Sequence, residues 1–298
     1  MSETIEIIEV GARDGLQNEK AIVDVADKVA FIRRLEACGA RRIEAVSFVN
    51  PRRVPQMAGA EEIMAALPHE PGRVRVGLVL NERGWERAVA SGCDEANVVI
   101  CASDEFGIRN QGANVEQQVE AMRTIVLRRR QGGGPPITVT ISVAFGCPFE
   151  GDVPVARVAD IVRAAAEAGV EEIALADTIG AADPWAVRTR VAAARAEAPS
   201  ARLRLHLHDT RGTGLANAFA GVEAGVRMLD SSCGGLGGCP FAPAATGNVA
   251  TEDLAWMLHR AGFQTGIDVE AMIETGRWIG EKIGKPPVSA LSRAGVFP

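Results

Sequence analysis

The chain has 298 residues, of which 47% are hydrophobic and 23% charged, the balance of an ordinary soluble globular protein with room for one large domain or two small ones. A net charge of -6 excludes the global basic field of a nucleic-acid binder. No apolar run approaches the ~18–20 residues of a membrane span, and the start Met1-Ser2-Glu3-Thr4 lacks a signal peptide's basic and apolar regions. Cysteines at 38, 93, 101, 147, 233 and 239 form no C-x-x-C pair, which points to reduced thiols in the cytoplasm.

Short apolar runs alternate with amphipathic helical segments. Strands are expected at Thr4–Val10, Arg42–Val46, Val74–Leu80, Glu95–Cys101, Ile137–Val143, Glu172–Ala176, Leu203–His208 and Arg227–Asp230. Between them lie helices at Val23–Cys38, Ala60–Leu67, Glu82–Ser91, Val155–Ala168 and Gly214–Ala224. Another, capped by Asn114, runs to about Arg130, and one opened by Pro184 runs to about Glu197. Glycines 39, 92 and 169 stand just behind helix ends. Thr251–Ala261 closes the series, and Val269–Ile283 adds a helix before a Pro-containing tail. Eight strand–helix units predict a parallel sheet, at this length a (β/α)₈ TIM barrel with an additional C-terminal helix. An open doubly wound sheet is disfavoured because Gly11-Ala12-Arg13-Asp14-Gly15 lacks a phosphate-binding glycine fingerprint. The whole of 1–298 is expected to be a single catalytic domain, its helical extension starting near 265.

Such barrels carry their active site at the C-terminal ends of the strands. There the sequence places Arg13 and Asp14, Glu44 and Ser47, Asp177, His206 and His208, and Asp230. Period-two alternation turns His206 and His208 to one face. With Asp14 they supply two nitrogens and an oxygen, a set suited to Mg²⁺ or Mn²⁺, with Zn²⁺ or Co²⁺ also possible. Asp14 could instead pair with Arg13 or cap the next helix. Asp209, next in the chain, is a candidate hydrogen-bond partner for the ligating histidines. Four glycines in Gly234–Gly238 build a close-approaching loop that could carry the Cys239 thiol into the site, as nucleophile or general acid. His69 reads as a surface-loop residue and His259 as a helix-end cation.

Several of these stretches resemble the 3-hydroxy-3-methylglutaryl-CoA lyase family. They are Gly11-Ala12-Arg13-Asp14-Gly15-Leu16-Gln17-Asn18-Glu19, Ile43–Val49 with Val54-Pro55-Gln56-Met57, Gly146–Gly151, Asp177-Thr178-Ile179-Gly180, His206–Thr210, Gly235–Pro243 and Gly247–Asp253. The likeness runs from residue 5 to about 265. It implies a metal-dependent retro-Claisen lyase in which Asp14, His206, His208 and Asn248 ligate a divalent metal. Arg13 would stabilise the thioester enolate and Cys239 would act as general acid. Glu44 and Asp177 would support the proton network, Asp14 or an oxygen on the ion would help remove the substrate hydroxyl proton, and Gln17 and Ser47 would line the site. The implied partner is an acyl-CoA thioester, with no nucleic acid and no membrane, and the family suggests a homodimer, with the 269–283 helix a candidate interface.

The chain departs from the family at Arg211 and Thr213, where Tyr and Gln are common, at Phe241 and Thr246, and at Thr140, where some members place a tyrosine; this chain has none. Ligand and thiol positions are kept, so the reaction class holds, while the acyl group stays open: 3-hydroxy-3-methylglutaryl-CoA, citramalyl-CoA or a longer-chain glutaryl-CoA. Arg211 either meets a carboxylate in the site or lies on a solvated rim. The competing readings are a condensing synthase of the isopropylmalate or citramalate type, which generally has an extra C-terminal region, and a metal-binding barrel without catalysis.

Overall fold

A computed structural model describes residues 3–238 and 247–297. Strands β1 (Glu6–Glu9), β2 (Arg42–Ser47), β3 (Val74–Val79), β4 (Glu95–Cys101), β5 (Ile137–Ser142), β6 (Glu172–Asp177), β7 (Arg202–Leu207) and β8 (Met228–Ser231) close in sequence order into a parallel barrel. The closing seam pairs Ile8 with Asp230 and Glu9 with Ser231. Helices α1 (Val25–Ala37), α2 (Ala60–Ala65) and α3 (Glu82–Ala90) follow the first three strands. After β4 come α4 (Asp104–Gln111) and α5 (Val115–Gly132). Then α6 (Val155–Ala168), α7 (Pro184–Glu197), α8 (Gly214–Glu223) and α9 (Thr251–Arg260) complete the ring, and α10 (Val269–Ile283) and α11 (Ala290–Ala294) extend it.

Helix ends follow local chemistry. Asn114 and Gln117 form a reciprocal capping box at α5, and the Asp183 carboxylate accepts from Trp185 and Ala186 at α7. Behind α1, Gly39 takes φ +94°, and a Cβ there would lie 2.0 Å from the Gly266 carbonyl oxygen, so no other residue fits. Two helices were absent from the sequence expectation, α4 and α11. The interface expectation for 269–283 meets a constraint: α10 buries Met272, Ile273, Ile279 and Ile283 within its own chain, against α1 and α9.

The large apolar core lies between strands and helices, built from residues such as Phe31, Ile100, Ile141 and Leu205. The barrel lumen is different. Its floor carries Arg42, whose guanidinium lies 2.8 Å from Glu95 and 2.5 Å from Glu172, and the fully buried Arg204. The usual branched apolar filling is thus replaced by paired charges, which burial tolerates only when each finds a partner.

Candidate active site

β1 runs into a single π-helical turn, Gly11–Gly15, that presents Arg13 and Asp14 at the barrel mouth. Val10 carbonyl accepts from the N–H groups of Arg13 and Gly15, and Val10 N–H donates to Ser231, so the turn is anchored to β8. Behind it the buried Glu9 accepts from Gly11 N–H (2.7 Å) and Cys233 N–H (3.0 Å), joining this turn to the base of the glycine-rich loop.

Arg13 is buried and spoken for on both sides. Its Nε donates to Glu44 and its Nη1 to Asp14 at 2.6 Å. Glu44 also accepts from Asn97 Nδ2 at 2.8 Å, and Thr140 donates to Asn97 Oδ1 at 2.9 Å. The guanidinium is thereby held at the cavity by a row of lumen side chains from β2, β4 and β5.

Opposite stands the pair from β7. His206 Nε2 and His208 Nε2 lie 3.1 Å apart, and Asp14 Oδ2 is 3.8 and 3.5 Å from them. One ligating atom of each of the three residues falls within 4.8 Å of the others. Burial alone would raise the Asp14 carboxyl, but the Arg13 guanidinium and the facing imidazoles hold it well below the usual carboxylate range. His206 is pushed up despite burial, through its hydrogen bond to Asp230 and the charge of Asp14.

Asn248 joins them. It bridges to His208 across an antiparallel pair, and its Nδ2 donates to Asp14 at 2.7 Å and to the Leu236 carbonyl at 3.2 Å. Its Oδ1 is buried with no partner among the described residues. Glycine is needed to bring it there: a Cβ on Gly247 would lie 2.3 Å from the Gly237 backbone.

The donor set fits a divalent cation. Two nitrogens at right angles, each about 2.1 Å from an ion, are about 3.0 Å apart, matching the imidazole spacing of 3.1 Å. A carboxylate held ionised and an orphaned amide oxygen complete a mixed nitrogen–oxygen set suited to such an ion.

A cavity of about 250 Å³ opens above this cluster. Its lining combines Arg13, Asp14, Glu44, His206 and His208 with the apolar Leu78, Leu80, Val99 and Phe106. Gln17 lies on the cavity wall. Ser47 is buried beside the site, its Oγ without a partner among the described residues, but it does not line the cavity. Asp177 does not line it either: both its oxygens accept backbone N–H groups, from Ala181 (2.7 Å) and Ala182 (3.0 Å), and burial pushes its carboxyl up. Cys239 lies outside the described residues.

Two expectations change in detail, and one residue was missed. Asp209 is not the carboxylate against the histidines; it accepts Gly214 N–H at 2.7 Å, while Asp230 sits 3.1 Å from His206 Nδ1. Arg211 is exposed and does not line the cavity; it donates to the Ile179 and Gly180 carbonyls, pinning the loop after β7 to the loop after β6. Asn97, which sequence reasoning passed over, ties Glu44 to Thr140. Its signal was parity, since polar residues two apart in an apolar strand, as in Glu95 and Asn97, mark the lumen face.

With this geometry in place, comparison with known proteins is informative. The HMGL-like family model matches residues 4–279. The hydroxymethylglutaryl-CoA lyase of Pseudomonas mevalonii is 42% identical over 99% of this chain and 96% of its own. The (R)-citramalyl-CoA lyase of Chloroflexus aurantiacus is 41% identical over 99% of this chain and 96% of its own. A solved HMG-CoA lyase from Acinetobacter baumannii, in complex with coenzyme A and 3-methylmalate, superposes with a TM-score of 0.92 at 36% identity, covering 99% and 97% of the two chains. Barrel, mouth residues and full-length likeness agree, and the chain belongs to the HMGL-like family.

Proposed function

We propose that this protein is a divalent-metal-dependent lyase that cleaves 3-hydroxy-3-methylglutaryl-CoA, or a close 3-hydroxyacyl-CoA, to acetyl-CoA and a 3-oxo acid such as acetoacetate. The observation that carries the reading is the convergence of Asp14, His206 and His208 at one barrel mouth with Arg13 fixed beside them.

Asp14, His206, His208 and Asn248 would hold the ion, Mg²⁺ or Mn²⁺ by the donor set. When bound, it supplies Lewis acidity toward the substrate's hydroxyl and acid oxygens. Breaking the bond between C2 and C3 leaves its electron pair on the thioester fragment while the hydroxyl oxygen becomes a carbonyl, with Asp14 the group that would take up the hydroxyl proton. Arg13 meets the enolate oxygen, and Glu44 keeps the guanidinium in place so that no reorganisation is needed as charge develops. Cys239 would deliver the proton that turns the enolate carbon into the methyl of acetyl-CoA. Gln17 would orient the acyl group. Ser47 and Asp177 act from behind, Asp177 by holding the turn at Ala181 and Ala182.

The acyl-CoA partner is supported by the relative solved with coenzyme A. The free cysteines among the described residues support a reducing, cytoplasmic setting, and no helix among those residues is long and apolar enough to cross a membrane. A homodimer belongs to the proposal, docking through surfaces other than the buried face of α10. The citramalyl-CoA reading is kept open by a relative of nearly equal identity.

The test is a panel of 3-hydroxyacyl-CoA thioesters, assayed with Mg²⁺ or Mn²⁺ for release of acetyl-CoA. Preference for the methylglutaryl thioester supports the proposal, and preference for citramalyl-CoA transfers the assignment to that substrate. Cleavage of none, or release of free CoA from acetyl-CoA and a 2-oxo acid, overturns the lyase reading.

A further inference from the structure

The two imidazoles of the cluster are backed differently. His206 Nδ1 faces Asp230 Oδ2 at 3.1 Å, whereas His208 Nδ1 is buried with no partner among the described residues. Asp230 is the cross-strand neighbour of His206, so the barrel register itself sets the contact. The other oxygen of Asp230 faces Arg204 Nη1 at 3.5 Å. Arg204 is fully buried, and its Nε lies 3.5 Å from Glu172, the same carboxylate that Arg42 grips at the floor. A row of alternating charges therefore runs from the barrel floor to the back of one imidazole.

A carboxylate only accepts hydrogen bonds. Asp230 thus keeps the hydrogen of His206 on Nδ1 and leaves the Nε2 lone pair facing the cluster. His208 Nε2 lies 3.1 Å from that lone pair and 3.5 Å from Asp14 Oδ2, two acceptors. Before any ion arrives, the hydrogen of His208 belongs on Nε2, between them.

We propose that Asp230 is a positioning residue that presets His206 as a metal ligand, and that His208 is the ligand that changes tautomer when a divalent cation binds. On binding, His208 releases its Nε2 proton to solvent and takes one from solvent at Nδ1, staying neutral; no hydrogen bond is lost at Nδ1, because none exists there among the described residues. The inference rests on the metal-dependent reading above and adds an order to it: one ligand is ready-made, the other adjusts.

Long-range ¹H–¹⁵N spectra of imidazole-labelled protein, recorded as pH is raised until His206, which Asp230 and Asp14 push upward, has become neutral, read both tautomers directly. The chain has four histidines, and substituting His69, 71% exposed at its side chain, and His259 leaves two signals to assign. The metal-free protein should show His206 with Nδ1–H and His208 with Nε2–H. Added Mg²⁺ should move His208 alone to Nδ1–H. His206 with Nε2–H, or His208 already with Nδ1–H before Mg²⁺, overturns the proposal. No response to Mg²⁺ overturns the metal reading beneath it, a failure told apart by the metal-free tautomers, which need no ion.

Asp230→Asn gives a second reading. Asparagine has one acceptor oxygen, which the all-donor Arg204 claims, so its NH₂ turns to His206 Nδ1 and forces the hydrogen onto Nε2. His206 should then show Nε2–H and Mg²⁺ affinity by calorimetry should fall roughly 10–100-fold, with Asp230→Glu restoring much of it. An Asp230→Asn protein with wild-type Mg²⁺ affinity and Nδ1–H at His206 overturns the proposal; should that variant not fold, the wild-type spectra decide alone.

Discussion

Replacing Glu9 with Gln should flatten the pH dependence of stability. Glu9 is fully buried on the outer side of β1. Its oxygens accept from Gly11 N–H (2.7 Å), Cys233 N–H (3.0 Å) and the Thr251 hydroxyl (2.5 Å), three elements that meet behind the active-site turn. Burial pushes its carboxyl from 4.5 up to about 7, against the pull of those hydrogen bonds, and the neighbouring Glu252 adds to the rise. The folded-state value lies above the unfolded one, so the stability this group contributes is complete below pH 4.5 and is lost as pH climbs through about 7. At ~1.4 kcal/mol per pH unit the whole effect is about 3 kcal/mol, roughly 5 °C or more in melting temperature for a chain of this size. Glutamine can still accept both backbone N–H groups and donate to Thr251, whose hydroxyl also pairs with Ser231 at 2.8 Å. Thermal and urea melts of metal-free wild type and Glu9→Gln between about pH 5 and 8.5 should converge in acid, separate as pH rises toward about 7, and keep a constant gap above it, with the variant gaining relative to wild type. Glu252 and Cys233 are common to both proteins, so only their coupling to the Glu9 charge enters the difference. Two profiles that stay parallel over the whole range would refute the buried-carboxylate argument.

Arg13→Met keeps the side-chain stem but removes the charge proposed to meet the enolate; kcat should fall about 10²–10³-fold, while Mg²⁺ binding holds or tightens because Asp14 loses a competing cation. Unchanged kcat would take Arg13 out of the chemistry. Cys239→Ala should lose most turnover with metal content by elemental analysis unaltered; normal turnover would remove the thiol from the proposed mechanism. Chelation should abolish activity and lower the melting temperature, and excess Mg²⁺ at about a hundred times its dissociation constant should restore about 2.7 kcal/mol. A double His206→Ala, His208→Ala variant should not respond to Mg²⁺, and a normal thermal response from it would place the ion elsewhere.

The barrel was legible because strand and helix patterns alternate cleanly and their caps are local. Ile137–Ser142 and Val155–Ala168 show it, the first β-branched, the second ending before Gly169 at φ +87°. The two missed helices were missed for different reasons. Asp104–Gln111 has only two residues, Phe106 and Gly107, in the interior, although its Ser103 cap and Gly112 stop stand plainly in the sequence. Ala290–Ala294 is a five-residue helix whose first N–H groups are held by Asp253 on α9, a contact that local pattern does not carry. At the site, the imidazole pair and the Arg13-Asp14 turn could be read from parity and strand ends. The partner of His206 could not: Asp209 is its near neighbour in the chain, but Asp230 is its neighbour in the sheet. Closing a barrel substitutes spatial neighbours for sequential ones, and only the register says which.

That same register explains why the lumen is charged. Replacing buried ion pairs by apolar side chains often stabilises a protein, so stability alone does not account for Arg42, Glu95, Glu172 and Arg204. Their quality changes with height. At the floor, contacts between guanidinium and carboxylate run from 2.5 to 3.0 Å. One layer up, Arg204 reaches Asp230 and Glu172 only at 3.5 Å. Arg204, Asp230, His208 and Asn248 each leave a buried polar atom with no partner among the described residues, as do Ser142 and Gln111 on the cavity wall. An unmet buried polar group costs about 1–3 kcal/mol, so a cluster of them under one cavity is expensive unless something binds there. The floor, closely paired although Arg42 Nε also lacks a partner among the described residues, supplies rigidity, and the layer above it is aimed at the space where an ion and a charged substrate would complete the set.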